Sequence, residues 1–231
     1  MLIKVLASGS KGNCTAISTG EAILLLDAGI GFKQIQSKLG YAMPTAALIT
    51  HEHGDHAKLD AITNLIHYGA DVFMTAGTIG ALQFDESYRI HLMQRALPFE
   101  LAGFNITPIG AFHDAREPVS FVIENHSERL WYITDTGHFN PIFFTLKPPT
   151  HIIVEANHNP VKLQRACIDI AQKKRIRNNH LSFLKVMEFF ANIDKSALQK
   201  VHLIHVSSRF GDKVTFRQIA FDYLHIPVAA H

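Results

Sequence analysis

Residues 50–56 read Thr50-His51-Glu52-His53-Gly54-Asp55-His56. Three imidazoles and one essential carboxylate, Asp55, fall within the six positions from His51 to His56. Neutral imidazole nitrogens and carboxylate oxygens are the donors a divalent transition metal prefers. The run follows an apolar stretch that ends at Thr50, so it lies on a loop at the end of a strand. Side chains on a tight loop diverge, which lets His51 and His53 serve one ion while Asp55 and His56 serve a second. Two ions ~3.5–4 Å apart can hold a bridging hydroxide and clamp both oxygens of an in-line displacement. The competing reading is a polar surface loop rich in histidine, which Gly54 and the acidic residues would suit. The full H-x-H-x-D-H spacing favours the metal reading.

Around this segment, short runs rich in β-branched residues predict strands over 3–7, 23–27, 47–50, 71–74, 104–109, 120–124, 130–134, 152–155 and 201–206. Helical spacing predicts helices over 32–39, 58–68, 160–174, 182–192 and 215–224. Pro160 suits a first helical position and Ser182 an N-cap. No repeat or long linker interrupts the pattern, so the expectation is one α/β domain over residues 1–231.

Composition narrows the function classes. Hydrophobic residues make up 47% and charged residues 18% of 231 residues, which excludes a disordered chain. A formal net charge of +2 implies no polyanionic partner by itself, so a nucleic-acid site would have to be a local patch. Two cysteines, Cys14 and Cys167, exclude a disulfide scaffold and fit a reducing compartment. The first ten residues lack the long apolar region of a secretory signal, and no run approaches a membrane span. The expected location is the cytoplasm, with no membrane partner. The chain holds 15 histidines, which makes their clustering informative.

The H-x-H-x-D-H run resembles the signature of the metallo-β-lactamase superfamily. The resemblance implies a four-layer αββα sandwich with metals at the strand edges, and further ligands downstream. His113 in Ala111-Phe112-His113-Asp114-Ala115 matches the third-motif histidine, Asp135 in Thr134-Asp135-Thr136-Gly137 the bridging aspartate, and His205 in Ile204-His205-Val206-Ser207-Ser208-Arg209 the last histidine. Read alone, His113 is also an ordinary loop histidine and Asp135 a turn cap. His202 competes with His205, but an odd separation in a strand sends the two to opposite faces. The Ser-Ser-Arg-Phe tail that follows resembles the nuclease branches and favours His205. His67, His91, His126, His138, His151, His225 and His231 lack such context and read as surface or core residues.

Further segments point within the superfamily. They are Ser8-Gly9-Ser10-Lys11-Gly12-Asn13, His113-Asp114-Ala115, Glu155-Ala156-Asn157-His158 and His180-Leu181-Ser182. Together they are similar to the YycJ (WalJ)-type exonuclease subfamily, with RNase Z as its nearest relative. That resemblance implies a metal-dependent nuclease acting 5′ to 3′ on double-stranded DNA. It implies two ions, Zn²⁺ or Mn²⁺, with His51, His53 and His113 on the first, Asp55, His56 and His205 on the second, and Asp135 bridging. Asp55 would orient the hydroxide, and His180, oriented by Glu155, would protonate the leaving oxygen. Ser10, Lys11, Asn13, His158, Ser207 and Arg209 are the expected substrate contacts, joined by the basic run Lys173, Lys174, Arg175 and Arg177. Asn159 and Asn179 depart from the subfamily's usual Asp and Gly. The 22 residues from His113 to Asp135 leave no room for the arm of RNase Z, and the 20 from Asp135 to Glu155 none for a β-CASP insert. A thioester or lactone hydrolase of the same fold, an RNA-processing nuclease, and a nucleic-acid-binding module without turnover are the alternatives.

Overall fold

A computed structural model describes residues 1–84 and 87–231, which form two compact units. The first comprises residues 1–108 and 115–119, the second residues 109–114 and 120–231.

In the first unit the strands stand in sequence order: β1 (Leu2–Ala7), β2 (Cys14–Ser18), β3 (Ile23–Leu26), β4 (Ala46–Leu48), β5 (Asp71–Met74) and β6 (Ile90–Leu92). The pairs from β1 to β3 are antiparallel and those from β3 to β6 parallel. Helices α1 (Phe32–Lys38), α2 (Leu59–His67) and α3 (Ala76–Leu82) connect the parallel strands, and a hairpin of β7 (Phe99–Leu101) and β8 (Phe104–Gly110) follows. Strands β3 and β4 read Ile-Leu-Leu-Leu and Ala-Ala-Leu and are buried almost throughout. Such uninterrupted apolar runs are what a strand covered on both faces requires. Helix α2 buries Ala61, Ile62 and Leu65 and turns Asp60 and Asn64 outward, in keeping with a period of 3.6.

In the second unit the order is β13 (Val228–Ala230), β12 (Lys200–Ile204), β11 (His151–Glu155), β10 (Arg129–Ile133) and β9 (Val119–Glu124). All neighbours are parallel except β9 and β10. Helices α4 (Pro160–Arg165), α5 (Ile170–Asn179), α6 (Phe183–Asn192) and α7 (Lys213–Leu224) complete it. Its core gathers Trp131, Phe143, Phe189, Phe190 and Phe216 with aliphatic residues of β10, β11 and β12. Among the described residues no helix is long and apolar enough to cross a membrane.

All nine predicted strands are present. Strand β2 escaped the sequence reading because Cys14, Thr15, Ala16 and Ile17 are all buried, which leaves no alternation to detect. The predicted helix over 160–174 is a pair, α4 and α5, with Asp169 as N-cap of the second. Helix α5 buries no residue, so apolar spacing carried no signal for its true limits, and it runs on to Asn179.

In each unit the side chains of interest stand where strands end. His51 follows β4, Asp135 follows β10, Glu155 closes β11 and His205 follows β12. Open α/β sheets bind ligands outside the carboxyl ends of their parallel strands. Asp27, Asp135 and His205 hold positive φ angles of 63°, 43° and 50° at these ends. Non-glycine residues persist in that region only where the surroundings hold them, and such strain concentrates at functional sites.

Candidate metal centre

In the first unit, Asp27 organises the signature loop. Its fully buried carboxylate accepts from the Thr50 backbone N–H and hydroxyl, both at 2.8 Å, and from His56 Nδ1 at 2.7 Å. The Thr50 hydroxyl proton is thereby committed to Asp27, so its oxygen accepts from His51 Nδ1 at 3.0 Å. In both histidines Nδ1 is the donor, and Nε2 carries a lone pair. That is the arrangement by which a partner oxygen fixes the tautomer and orientation of a metal-ligating histidine. The His51 ring lies 4.7 Å from that of His53 and 4.4 Å from that of His56. The Asp55 carboxylate stands 3.7 Å from His56 Nε2. The Asp55 carbonyl accepts from the Asn13 backbone N–H at 2.7 Å, which anchors the loop to the β1–β2 turn.

In the second unit, Asp135 occupies the equivalent strand end. Its Oδ2 faces His113 Nε2 at 3.5 Å and its Oδ1 faces His205 Nε2 at 3.6 Å. His113 donates Nδ1–H to the Asn179 carbonyl at 3.0 Å, which leaves Nε2 unprotonated in the neutral ring. Burial holds the His113 pKa below its ordinary value, against the pull of Asp135. An imidazole lone pair and a carboxylate oxygen facing one another at this distance repel unless a cation lies between them. The donor set therefore fits a divalent metal ion.

Beside Asp135 lies Glu155, wholly buried. It accepts from the backbone N–H groups of Asp135 and Leu181 and pairs with His180 Nδ1 at 3.1 Å. Burial raises its pKa, and His180 counters that rise. The His180 ring stacks on His205 with centroids 5.3 Å apart and meets His113 edge-on at the same distance. Donor atoms of Asp135, Glu155, His180 and His205 lie within 4.8 Å of one another.

The remaining candidates separate. Ser10 and Lys11 are exposed on the β1–β2 turn, whereas Asn13 is buried, with its amide on Asp55 and His56 Nε2. His158 is buried, and its pKa is pushed down to about 4, mainly by burial. The Ser207 hydroxyl accepts from the N–H groups of Arg209 and Phe210, and the exposed Arg209 guanidinium lies over the Phe210 ring. The basic run sits within α5, where Arg175 pairs with Asp114 at 2.7 Å and Lys173 bonds the Gln164 carbonyl.

Sequence reasoning missed Asp27, Thr50 and Asn157, whose amide lies 3.1 Å from His205 Nδ1. A signal for Asp27 was present. Asp27-Ala28-Gly29 and Asp135-Thr136-Gly137 share an Asp-x-Gly pattern directly after a strand. In each, the aspartate takes a positive φ and the glycine packs against a loop carbonyl. A Cβ on Gly29 would strike the Asp55 carbonyl, and one on Gly137 the carbonyl of Asn178. Backbone cannot yield as a side-chain tip would, so Gly29→Ala is expected to destabilise by about 3 kcal/mol or more. Urea unfolding at fixed metal concentration checks this, with Gly54→Ala, which meets nothing within 4 Å, as the silent comparison.

His202 proves distinct from His205. It is buried, bonds His231 at 2.9 Å, and its pKa is pushed down to about 3 by burial, then by His231, Lys200 and His151. The unfolded chain takes up this proton near pH 6.5 and the folded chain does not. Between pH 6.5 and about 3 the unfolded state binds more protons, so acidification there lowers stability by up to about 1.4 kcal/mol per pH unit. The expected result is a shallower acid limb for His202→Phe than for the parent in urea melts of chelated protein.

A model of the beta-lactamase superfamily domain matches residues 23–205. The chain belongs to that superfamily. The match runs through both units and takes in every predicted metal ligand. Exodeoxyribonuclease YycJ of Bacillus anthracis is 28% identical over 219 residues, covering 88% of this chain and 81% of that protein. Exodeoxyribonuclease WalJ of Streptococcus pneumoniae is 28% identical over 218 residues, covering 88% and 80%. Among solved structures, the metallo-β-lactamase fold protein YhfI from Bacillus subtilis superposes with a TM-score of 0.75 at 17% identity, over 99% of this chain and 95% of its own. That likeness shows the shared α/β metallo-β-lactamase fold. Family and donor chemistry together make the chain an enzyme, a metal-dependent hydrolase.

Proposed function

We propose that this hydrolase is a nuclease, and specifically an exonuclease acting 5′ to 3′ on double-stranded DNA in the cytoplasm. The observation that carries the reading is the Glu155–His180 pair beside Asp135 and His205. A phosphodiester releases an alkoxide, which needs a proton at departure, whereas a thiolate leaves without one. An imidazole held by a buried carboxylate is suited to supply that proton. The names of the 28%-identical relatives support the same substrate class. We assign His51, His53 and His113 to one divalent ion, Asp55, His56 and His205 to a second, and Asp135 to both, with Zn²⁺ or Mn²⁺ as the native metal. When bound, the metals supply Lewis acidity and lower the pKa of water.

The chain's own residues do the rest. Asp27 and Thr50 hold His56 and His51 in the ligand tautomer, and Glu155 orients His180. Lys11, Arg209 and the α5 cations offset phosphate charge, with Ser10, His158 and Ser207 as further candidate contacts. The deciding assay uses the metal-loaded chain on end-labelled duplex DNA, single-stranded DNA and RNA, beside a thioester and lactone panel. The expected result is stepwise shortening of duplex DNA from the 5′ end. Thioester turnover with no cleavage of any nucleic acid would overturn the reading.

A further inference from the structure

The turn after β12 and the last turn of α4 border a shallow, open cleft of about 410 Å³. Lys162 and Arg165 of α4 line it with Arg209, Phe210 and Cys167. Lys162 is engaged with Asp212 at 3.5 Å. Arg165 and Arg209 are exposed, and among the described residues no carboxylate pairs with either. Two guanidiniums therefore reach the cleft from separate elements without an acidic partner. Arg209 is also steadied by Phe210, whose ring lies 5.2 Å beneath it. Guanidinium presents a planar fork that matches phosphate oxygens in pairs.

Both walls continue directly from strands that carry the candidate centre. Arg209 stands four positions beyond His205, and Lys162 seven beyond Glu155. A chain spans at most ~3.3–3.6 Å per residue, so Arg209 lies within about 14 Å of His205. Phosphates along one strand of a duplex recur about every 3.4 Å of helix axis. Successive phosphates also turn about that axis and so stand farther apart than the rise, which places the cleft within a few nucleotides of the reacting phosphate. The walls are pinned to one another, since Asn159 donates its N–H to the Phe210 carbonyl and Ser207 donates its own to that of Asn157.

We propose that this cleft is a second phosphate subsite, in which Arg165 and Arg209 grip the sugar-phosphate backbone of a nucleic-acid strand a few nucleotides from the reacting bond. The inference rests on the nuclease reading and adds to it where the strand runs.

Cys167 supplies a direct probe. It is exposed in the cleft, while Cys14 is fully buried with its thiol pKa pushed up by burial, so a neutral maleimide reacts at one position. The experiment follows labelling of the metal-loaded chain with and without a duplex made hydrolysis-resistant by phosphorothioates. The expected result is labelling slowed at least about fivefold by the duplex at low salt. The Arg165→Ala/Arg209→Ala variant should lose that protection, and its log affinity against log salt should flatten by about 1.8. Unchanged labelling with duplex bound would overturn the subsite, as would equal protection by inorganic phosphate at the same phosphate concentration. Hydrolysis of ordinary DNA is measured on the same preparation. Cleavage without protection defeats the subsite alone, protection without cleavage defeats the nuclease reading alone, and absence of both defeats the two together.

Discussion

Replacing Asp55 by alanine is expected to abolish turnover while leaving the chain folded. Asp55 is assigned two tasks, holding one ion and orienting the hydroxide. Misplacing a reacting group by about 1 Å can alone cost about 10²-fold, and loss of an ion with it should exceed that. The fold should survive because the Asp55 side chain is 27% exposed on a polar loop, outside any apolar cluster. The loop's main anchor, the Asp55 carbonyl on the Asn13 N–H, does not depend on the side chain. Elemental analysis of the parent, purified without chelator, should show about two equivalents of Zn or Mn, and the variant about one. A parent that saturates at one equivalent under metal excess would sink the two-ion assignment. Asp27→Asn offers a graded comparison. It keeps the shape and removes the charge opposite His56 Nδ1, and outer partners of this kind typically contribute 10–100-fold in metal affinity.

The difference between Asp55 and Asp27 also marks how far the sequence could be read. Asp55 stands inside a dense motif whose donors follow one another within six positions. Asp27 acts through His56, 29 residues away, and nothing local distinguishes it from a turn aspartate except the Asp-x-Gly pattern it shares with Asp135. His113, Asp135 and His205 were reachable through the resemblance to the superfamily's motifs, since read alone each has an ordinary loop or turn reading. That Asp135 and His205 follow parallel strands, where such sheets present their ligands, agrees with it. The bond from His113 Nδ1 was not reachable, because its acceptor is the Asn179 backbone carbonyl, and a carbonyl carries no residue identity. The fold shows the same division. The buried parallel strands announced themselves by composition, while β6, β7 and β13, of three residues each, are too short to carry a period. Helix α5 is mostly polar and buries no residue, so its span from Ile170 to Asn179 could not be told from the end of α4.

Replacing His180 by alanine is expected to leave both ions bound and to lower turnover on ordinary phosphodiesters by about 10²–10⁴-fold. The imidazole sits at the C-terminal end of α5, with Ser182 capping α6 two residues on, so neither helix depends on its side chain. Its Nδ1 is committed to Glu155 at 3.1 Å, which leaves Nε2 as the atom able to hand a proton outward. A leaving alkoxide is a strong base and gains most from that proton, while a nitrophenolate departs without one. The acid role therefore requires His180→Ala to recover much of the loss on a nitrophenyl phosphodiester. Glu155→Gln provides a second readout. It keeps the size of the buried side chain and removes the charge that favours imidazolium, so the basic limb of the pH–rate profile should move to lower pH. The rival role is ligation, since the donor atoms of His180 lie within 4.8 Å of those of Asp135, Glu155 and His205. The two roles part on metal content. If His180→Ala releases an ion and the nitrophenyl substrate fails to restore the rate, His180 is a ligand and the proton must come from elsewhere.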